Sequence, residues 1–355
     1  MKKNLVYLGA LIIILASCNK AETPSSENFD TLTSEVLSDF PAFIAIPQYG
    51  DLYTKASELE TSVEQLIATP SDDKLSTARQ AWRDMRSVWE KSEGYLFGPV
   101  EDNDYDPQMD TWPVDYVQMD SLLASSNPLE VSDIQALSTL SLRGFHPVEY
   151  VLWGKEGNRS AASLTDRQKK YIHSLSTDLK NICKSLSDSW NPAAGNFAQN
   201  LINAGKPGSV YATKLEAYLA ITEAIIGICE EVGEGKMEEP FAALDSAIVE
   251  SPFSGNSVTD FKNNIIGLQN VYFGKWTIDG RGLNEVVASR NMNLDNGMQQ
   301  KIATAVSSFD AITLPYEQAI FDQRTQIMNT QNALADLKDA LENELKPFLI
   351  QNIRD

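Results

Sequence analysis

Apolar side chains recur at intervals of three and four along most of this chain, and that period limits its fold more than any other feature. Ile172, Leu175, Leu179, Ile182 and Leu186 form one such stripe. Leu215, Tyr218, Thr222, Ile225 and Cys229 form a second, and Leu334, Leu337, Leu341, Leu345 and Phe348 a third. This spacing lines one face of a 3.6-residue helix. Long alternating runs are absent, so sheet is at most minor. Start signals agree: Ser132-Asp133-Ile134-Gln135 and Thr165-Asp166-Arg167-Gln168 read as capping boxes. Ser71, after Pro70, reads as the cap of the segment carrying Trp82 and Trp89. The expected helices cover 31–69, 72–94, 132–153, 165–190, 209–235, 257–273, 294–310 and 324–350. The fold class is therefore all-α: two helical-bundle domains in tandem, packed against each other. Residues 31–200 would form the first bundle and 201–355 the second. The Gly/Pro/Asn-rich stretch 191–209, ending in "NAGKPGS", joins them.

The first residues give a location. Lys2 and Lys3 precede an apolar run from Leu5 to Leu15, too short to span a bilayer and suited to a signal-peptide core. It ends in Leu15-Ala16-Ser17-Cys18, small residues before a cysteine, as in a bacterial lipoprotein box. Residues 1–18 are thus expected to be a signal peptide with Cys18 the lipidated residue, and polar residues 19–30 a flexible tether. The body would sit in the cell envelope, attached to the membrane through its lipid only, on the periplasmic or surface face. Cys183 and Cys229 fall within helical stripes and read as buried apolar residues.

The formal charge is −20, from 49 acidic and 29 basic residues. Nucleic acid and anionic surfaces are poor partners for such a chain, and cations are plausible ones. Three connections are longer or more polar than plain linkers: "FGPVEDNDYDPQMDTWP" from Phe97 to Pro113, "EVGEGKMEEP" from Glu231 to Pro240, and "ESPFSGNSVTD" from Glu250 to Asp260.

"LRGFHPVEYVLWG" holds His146, one of two histidines, with Glu149 three residues on. A three-residue spacing puts both on one face of a regular helix. They are two metal ligands, a base and its partner, or a half-buried polar pair. Pro147 places a break near Gly144, with His146 close to the start of a new piece that ends at Gly154. A helix start lowers a histidine pKa and favours the neutral, metal-binding form. The other histidine, His173, lies among polar neighbours and is expected to be exposed.

In chain order, "ARQAWRDMRSVWEKSEGYLFGP", "GFHPVEYVLWG", "EEVGEGKMEEPF" and "ESPFSGNSVTDFKNNIIG" resemble the imelysin family of bacterial envelope proteins, also described as iron-regulated protein A-like. Gly144-x-His146-x-x-Glu149 matches that family's G-x-H-x-x-E signature, and the resemblance covers nearly the whole chain after the tether. It implies an all-helical protein of two bundle-like domains, with a site where they meet and a link to iron uptake. Residue by residue it points to Arg79, Trp82, Arg86, Phe97, Trp112, Lys236, Ser254 and Ser257 as ligand-binding positions. His146 and Glu149, with Glu93, Glu250 and Asp260, are the candidate metal ligands among the matching positions. Pro147 departs from the usual helix-continuing residue.

Each carry-over has a plainer reading. Trp82 and Phe97 have the spacing of core residues, Arg79 and Arg86 would pair with acids across the interface, and Ser257 and Asp260 would cap a helix. One imidazole with several carboxylates suits iron, manganese or zinc; arginines beside them suit an anionic, iron-containing ligand. Binding of a divalent metal or small iron-containing ligand, in concert with iron-transport components, is the leading expectation. A metal-dependent peptidase using His146 and Glu149 is an alternative, short of the three ligands and open position such a site needs. A non-catalytic scaffold lipoprotein, its motif stapling the halves together, is another.

Overall fold

The computed structural model describes residues 29–354. The expected signal peptide, Cys18 and most of the tether lie outside the described residues. Among the described residues there is no β-strand, only an isolated bridge between Lys275 and Asp279. The first helical rod is continuous from Phe29 to Ala68 but changes winding midway. Phe29–Asp39 and Ile46–Ala68 are α-helical, and Phe40–Ala45, with Pro41, is a π-helical turn. A proline inside a helix removes a hydrogen-bond donor, and the wider turn absorbs the mismatch.

Ile46–Ala68 packs between Asp72–Ser92 and Asp166–Trp190, and the short helix Phe145–Trp153 packs on the latter two. These helices pack as one group. The expected caps at Ser71 and Thr165 are present: Ser71 accepts from the Lys74 amide, and Thr165 and Gln168 close a reciprocal box. In the second half Lys214–Glu230 packs on Ser257–Phe273 and Arg324–Ala340, and Met292–Ser308 packs on the latter two. Buried apolar side chains from both halves, Leu32 through Ile353, form one continuous core. The halves meet where Ser257–Phe273 lies along Asp72–Ser92 and the 3₁₀ turn Glu93–Tyr95. The contact there is backbone on backbone: a Cβ on Gly94 would lie 2.7 Å from the Gly267 carbonyl carbon, and one on Gly267 would lie 2.2 Å from the Lys91 oxygen.

Several expected boundaries are corrected. The single helix over 132–153 is three pieces: Val131–Gln135, a 3₁₀ turn at Leu140–Leu142, and Phe145–Trp153. Its cap is Glu130, paired with Asp133, and not Ser132. The helix expected over 209–235 starts at Lys214 after Thr213, whose hydroxyl accepts from the Glu216 amide, and becomes π-helical from Glu231 to Met237. The stretch 231–240 is therefore wound and is not an open connection. The helix expected over 324–350 is interrupted by a π turn at Leu341–Leu345, just before Pro347. Leu283–Arg290 is an additional helix whose eight residues were too few to show a period. Cys183 and Cys229 are buried free thiols, as expected.

Candidate functional site

The first wall of the site comes from Asp72–Ser92. Trp82, Arg86 and Glu90 follow one another at steps of four and share its buried face. The helix then tightens into the 3₁₀ turn that carries Glu93 inward. Arg86, fully buried and lying over the Phe145 ring at 5.0 Å, is the hub. Its guanidinium reaches Glu90 at 2.5 Å, Glu250 at 2.9 Å and Asp260 at 3.7 Å, and also pairs with Asp110.

The second wall is Phe145–Trp153. Gly144 stands before it with φ +86° and ψ −156°, a backbone region open essentially to glycine alone. A Cβ there would lie 2.0 Å from the Met109 carbonyl oxygen. The first glycine of the motif thus lets the 105–110 segment lie directly against the start of the helix. The next residue, Asp110, meets His146, with 2.9 Å between Oδ1 and Nε2. Its Oδ2 accepts from the Trp89 indole at 2.6 Å. Pro147 sits in the first turn, where a missing N–H costs nothing. His146 and Glu149 stay on one side, Nδ1 to Oε2 being 3.7 Å. Glu149 accepts from the Ser254 amide at 2.8 Å and from the Ser254 hydroxyl at 2.6 Å.

The third wall comes from the second half. The Lys236 ammonium lies 2.8 Å from Glu93, 3.0 Å from Glu250, 3.6 Å from Glu231 and 3.7 Å from Glu90. It also faces the Trp112 ring at 5.4 Å. The Asn264 amide donates to Glu90 and to Glu93, each at 2.6 Å, and Asn256 donates to Asp260 at 2.5 Å.

Six carboxyl groups of this cluster (Glu90, Glu93, Asp110, Glu149, Glu250 and Asp260) are at most 3 % exposed. Facing them are two buried fixed cations, Arg86 and Lys236, and one buried imidazole, with the half-buried Arg83 guanidinium also acting on Glu149 and Asp260. Buried charge without a partner is costly, so the excess must be met by protons or by a further cation. Burial pushes the Glu90 and Glu93 carboxyls well above the usual range, and Asp260 up to about 7, against the pull of nearby cations. Asp110 goes the other way. Its burial is outweighed by Arg86 and His146, which hold it well below the ordinary value. At His146 burial lowers the pKa, but Asp110 and Glu149 outweigh it and raise the group to about 9 in the ion-free site, opposite to the effect of a helix start alone.

Several atoms of the cluster have no hydrogen-bond partner among the described residues, including His146 Nδ1, Glu149 Oε2, Glu250 Oε2 and Asp260 Oδ2. Three donor sets each bring one ligand atom per residue within 4.8 Å of the others: Asp110–His146–Glu250, Glu90–Glu93–Asp110 and Glu90–Glu250–Asp260. Mixed imidazole and carboxylate donors with orphaned lone pairs fit a divalent cation of the iron, manganese or zinc type.

The comparisons with known proteins agree with this architecture. The family model for imelysin matches residues 45–341. The chain belongs to the imelysin family. It is 28 % identical to iron-regulated protein A of Synechococcus elongatus over 324 residues, covering 90 % of this chain and 87 % of that one. A crystal structure from Parabacteroides distasonis ATCC 8503, solved as a candidate iron-regulated protein A precursor, superposes with a TM-score of 0.81. Its identity is 26 %, over 88 % of this chain and 94 % of that one. An imelysin-like protein from Psychrobacter arcticum 273-4 shares the fold, with a TM-score of 0.72 at 16 % identity over 92 % and 96 % of the two chains.

The imelysin signature residues His146 and Glu149 gather with Glu93, Glu250, Asp260, Arg86, Lys236 and Ser254 in one cluster. Trp112 borders it, 6.2 Å from the His146 ring. Ser257 does not cap a helix; the cap position is Asn256, and the Ser257 hydroxyl accepts from the Ser251 amide at 3.1 Å. Arg79 points elsewhere, donating to the Leu152 and Arg159 carbonyls. Trp82 is core: its indole donates to the Phe145 carbonyl and stands edge-on to Trp153. Phe97 is also remote, packed with Phe40 and Trp190. His173 is 43 % exposed, outside the site and 3.9 Å from Glu64. Sequence reasoning missed Glu90, Asp110, Asn256 and Asn264. Glu90 was findable, four residues after Arg86 on the same helical face. Asp110 was one of several acids in a loop, and nothing in the sequence distinguished it.

Proposed function

We propose that this imelysin-family chain is a lipid-anchored cell-envelope protein that holds iron, or another divalent cation, between its two halves. Its role would be the receipt or hand-over of that cation in iron uptake. The observation carrying this reading is the charge imbalance: six buried carboxyls face two fixed cations and one imidazole, with several lone pairs unmatched. The names of the Synechococcus and Parabacteroides relatives, both tied to iron regulation, point the same way. His146, Asp110, Glu250, Glu90 and Glu93 are the donors that would hold the ion. Glu149 and Asp260 would complete the cage through Ser254 and Asn256. Burial favours an ion over a peptide, because a peptidase must admit a peptide bond to its metal-bound water.

The test is a titration of the purified body, from about Glu27 onward, with Fe²⁺, Mn²⁺ and Zn²⁺, beside a His146→Ala/Glu149→Ala form. The wild type is expected to bind. The variant should bind at least about a hundredfold more weakly, since loss of supporting residues alone commonly costs 10–100-fold. Protons held on Glu90, Glu93, Asp260 and His146 must leave as the ion enters, so affinity should rise from pH 6 to pH 8 with measurable proton release. Calorimetry in two buffers of different ionisation enthalpy reads both. A wild type that binds none of these ions would sink the reading. A variant that loses stability with no ion involved would favour the scaffold role instead.

A further inference from the structure

The two fixed cations of the cluster are each met by four carboxyls, but they differ in chemistry. Arg86 sits mid-helix, stacked on Phe145 and gripped by acids on several sides, and its charge belongs to the wall. Lys236 is a compact ammonium on a flexible stem, and the four carboxylates around it come from three separate segments. Oxygens of Glu90, Glu93 and Glu250 converge on it at 2.8–3.7 Å. A divalent ion in that place would draw the same oxygens in to about 2.0–2.2 Å.

Lys236 also lies on a segment of irregular winding. Glu231–Met237 is π-helical, a winding that is uncommon and concentrated at functional sites. It contains Gly233 and Gly235. A Cβ at Gly235 would meet nothing within 4 Å, whereas Val232, Lys236 and Met237 are buried and the Met237 carbonyl accepts from the Tyr316 hydroxyl. Of the four acids around the ammonium, Glu231 alone reaches solvent, its side chain 43 % exposed. An ammonium leaving Glu93 and Glu250 therefore has an acidic partner, Glu231, on its way out.

We infer that Lys236 is a resident counter-ion that an incoming divalent cation displaces, swinging toward Glu231 as the Glu231–Met237 turn rewinds. This rests on the cation-binding reading above and adds an affinity-setting residue to it. The empty cage is kept neutralised by its own lysine, and each ion bound must expel that lysine.

The closing experiment needs no variant for its first arm. The chain is pulse-labelled with an amine-acetylating reagent, with and without saturating Mn²⁺, and Lys236 modification is read by peptide mass spectrometry. Lys236 is expected to be protected without metal and at least about tenfold more reactive with it, while surface lysines such as Lys55 do not change. In the second arm Lys236→Met is titrated with Mn²⁺ and Zn²⁺. With the competitor gone, it should bind at least about tenfold more tightly than wild type. Should the variant not fold without metal, the acetylation arm alone decides: a Lys236 still protected at saturating Mn²⁺ overturns the inference. If wild type binds Mn²⁺ while Lys236 stays protected and Lys236→Met binds no more tightly, the inference fails and the binding site stands. If neither wild type nor Lys236→Met binds either ion, the site reading fails and the inference with it.

Discussion

Replacing Arg86 with methionine is expected to cost about 3–5 kcal/mol of stability at pH 8, the range for removing one partner of a buried ion pair. The guanidinium meets Glu90, Asp110, Glu250 and Asp260 with no solvent to substitute for it. Methionine fills much of the volume and none of the charge. The loss should shrink as pH falls. In the wild type Asp110 is held well below its ordinary value, so its stabilisation is present above an unfolded pKa near 4 and lost only in strong acid. In the variant the abandoned carboxyls titrate above their unfolded values. Their penalty then grows as pH rises through that window and is relieved as they take up protons. Urea denaturation of both proteins at pH 5 and pH 8 reads this directly. An unchanged midpoint at pH 8, or a deficit that is larger at pH 5, would show that Arg86 is not the hub.

Gly144→Ala is expected to be nearly as damaging, at about 2–4 kcal/mol, from a backbone region hostile to side chains and from overpacking. The clash is with the Met109 carbonyl, one residue before Asp110. The substitution should therefore also loosen the Asp110–His146 contact and weaken cation binding by at least about tenfold. Thermal denaturation and the same Mn²⁺ titration separate the two effects. A Gly144→Ala protein of wild-type stability would mean that the motif's glycine is not a packing residue.

The helices were legible because their period is local. The Asp166–Trp190 and Ser257–Phe273 rods declare themselves in their own residues. Their interruptions were harder to read: the π turns at Phe40–Ala45, Glu231–Met237 and Leu341–Leu345 conserve helical spacing well enough to hide within it. The break before Phe145 was signalled by Gly144 and Pro147, and the helix runs to the expected stop at Gly154. At the site, the family pattern supplied His146, Glu149, Glu93 and Glu250. It could not rank the acids of the 97–113 loop, because only the close approach at Gly144 selects Asp110. The histidine's main partner was hidden for the same reason. Helix position is a local property, whereas Asp110 lies 36 residues away in the chain.

The bare crossing of Gly94 and Gly267 changes how tolerance to substitution should be read along this protein. Neither residue has a side chain with which to hold an ion. Yet a methyl group at either position is a wedge between the segment that carries Glu90 and Glu93 and the helix that carries Asp260 and Asn264. A saturation screen scored on metal retention would therefore return these two glycines beside the acids, and a chemist scanning the hits for ligands would do well to set them aside as hinges of spacing rather than sources of charge.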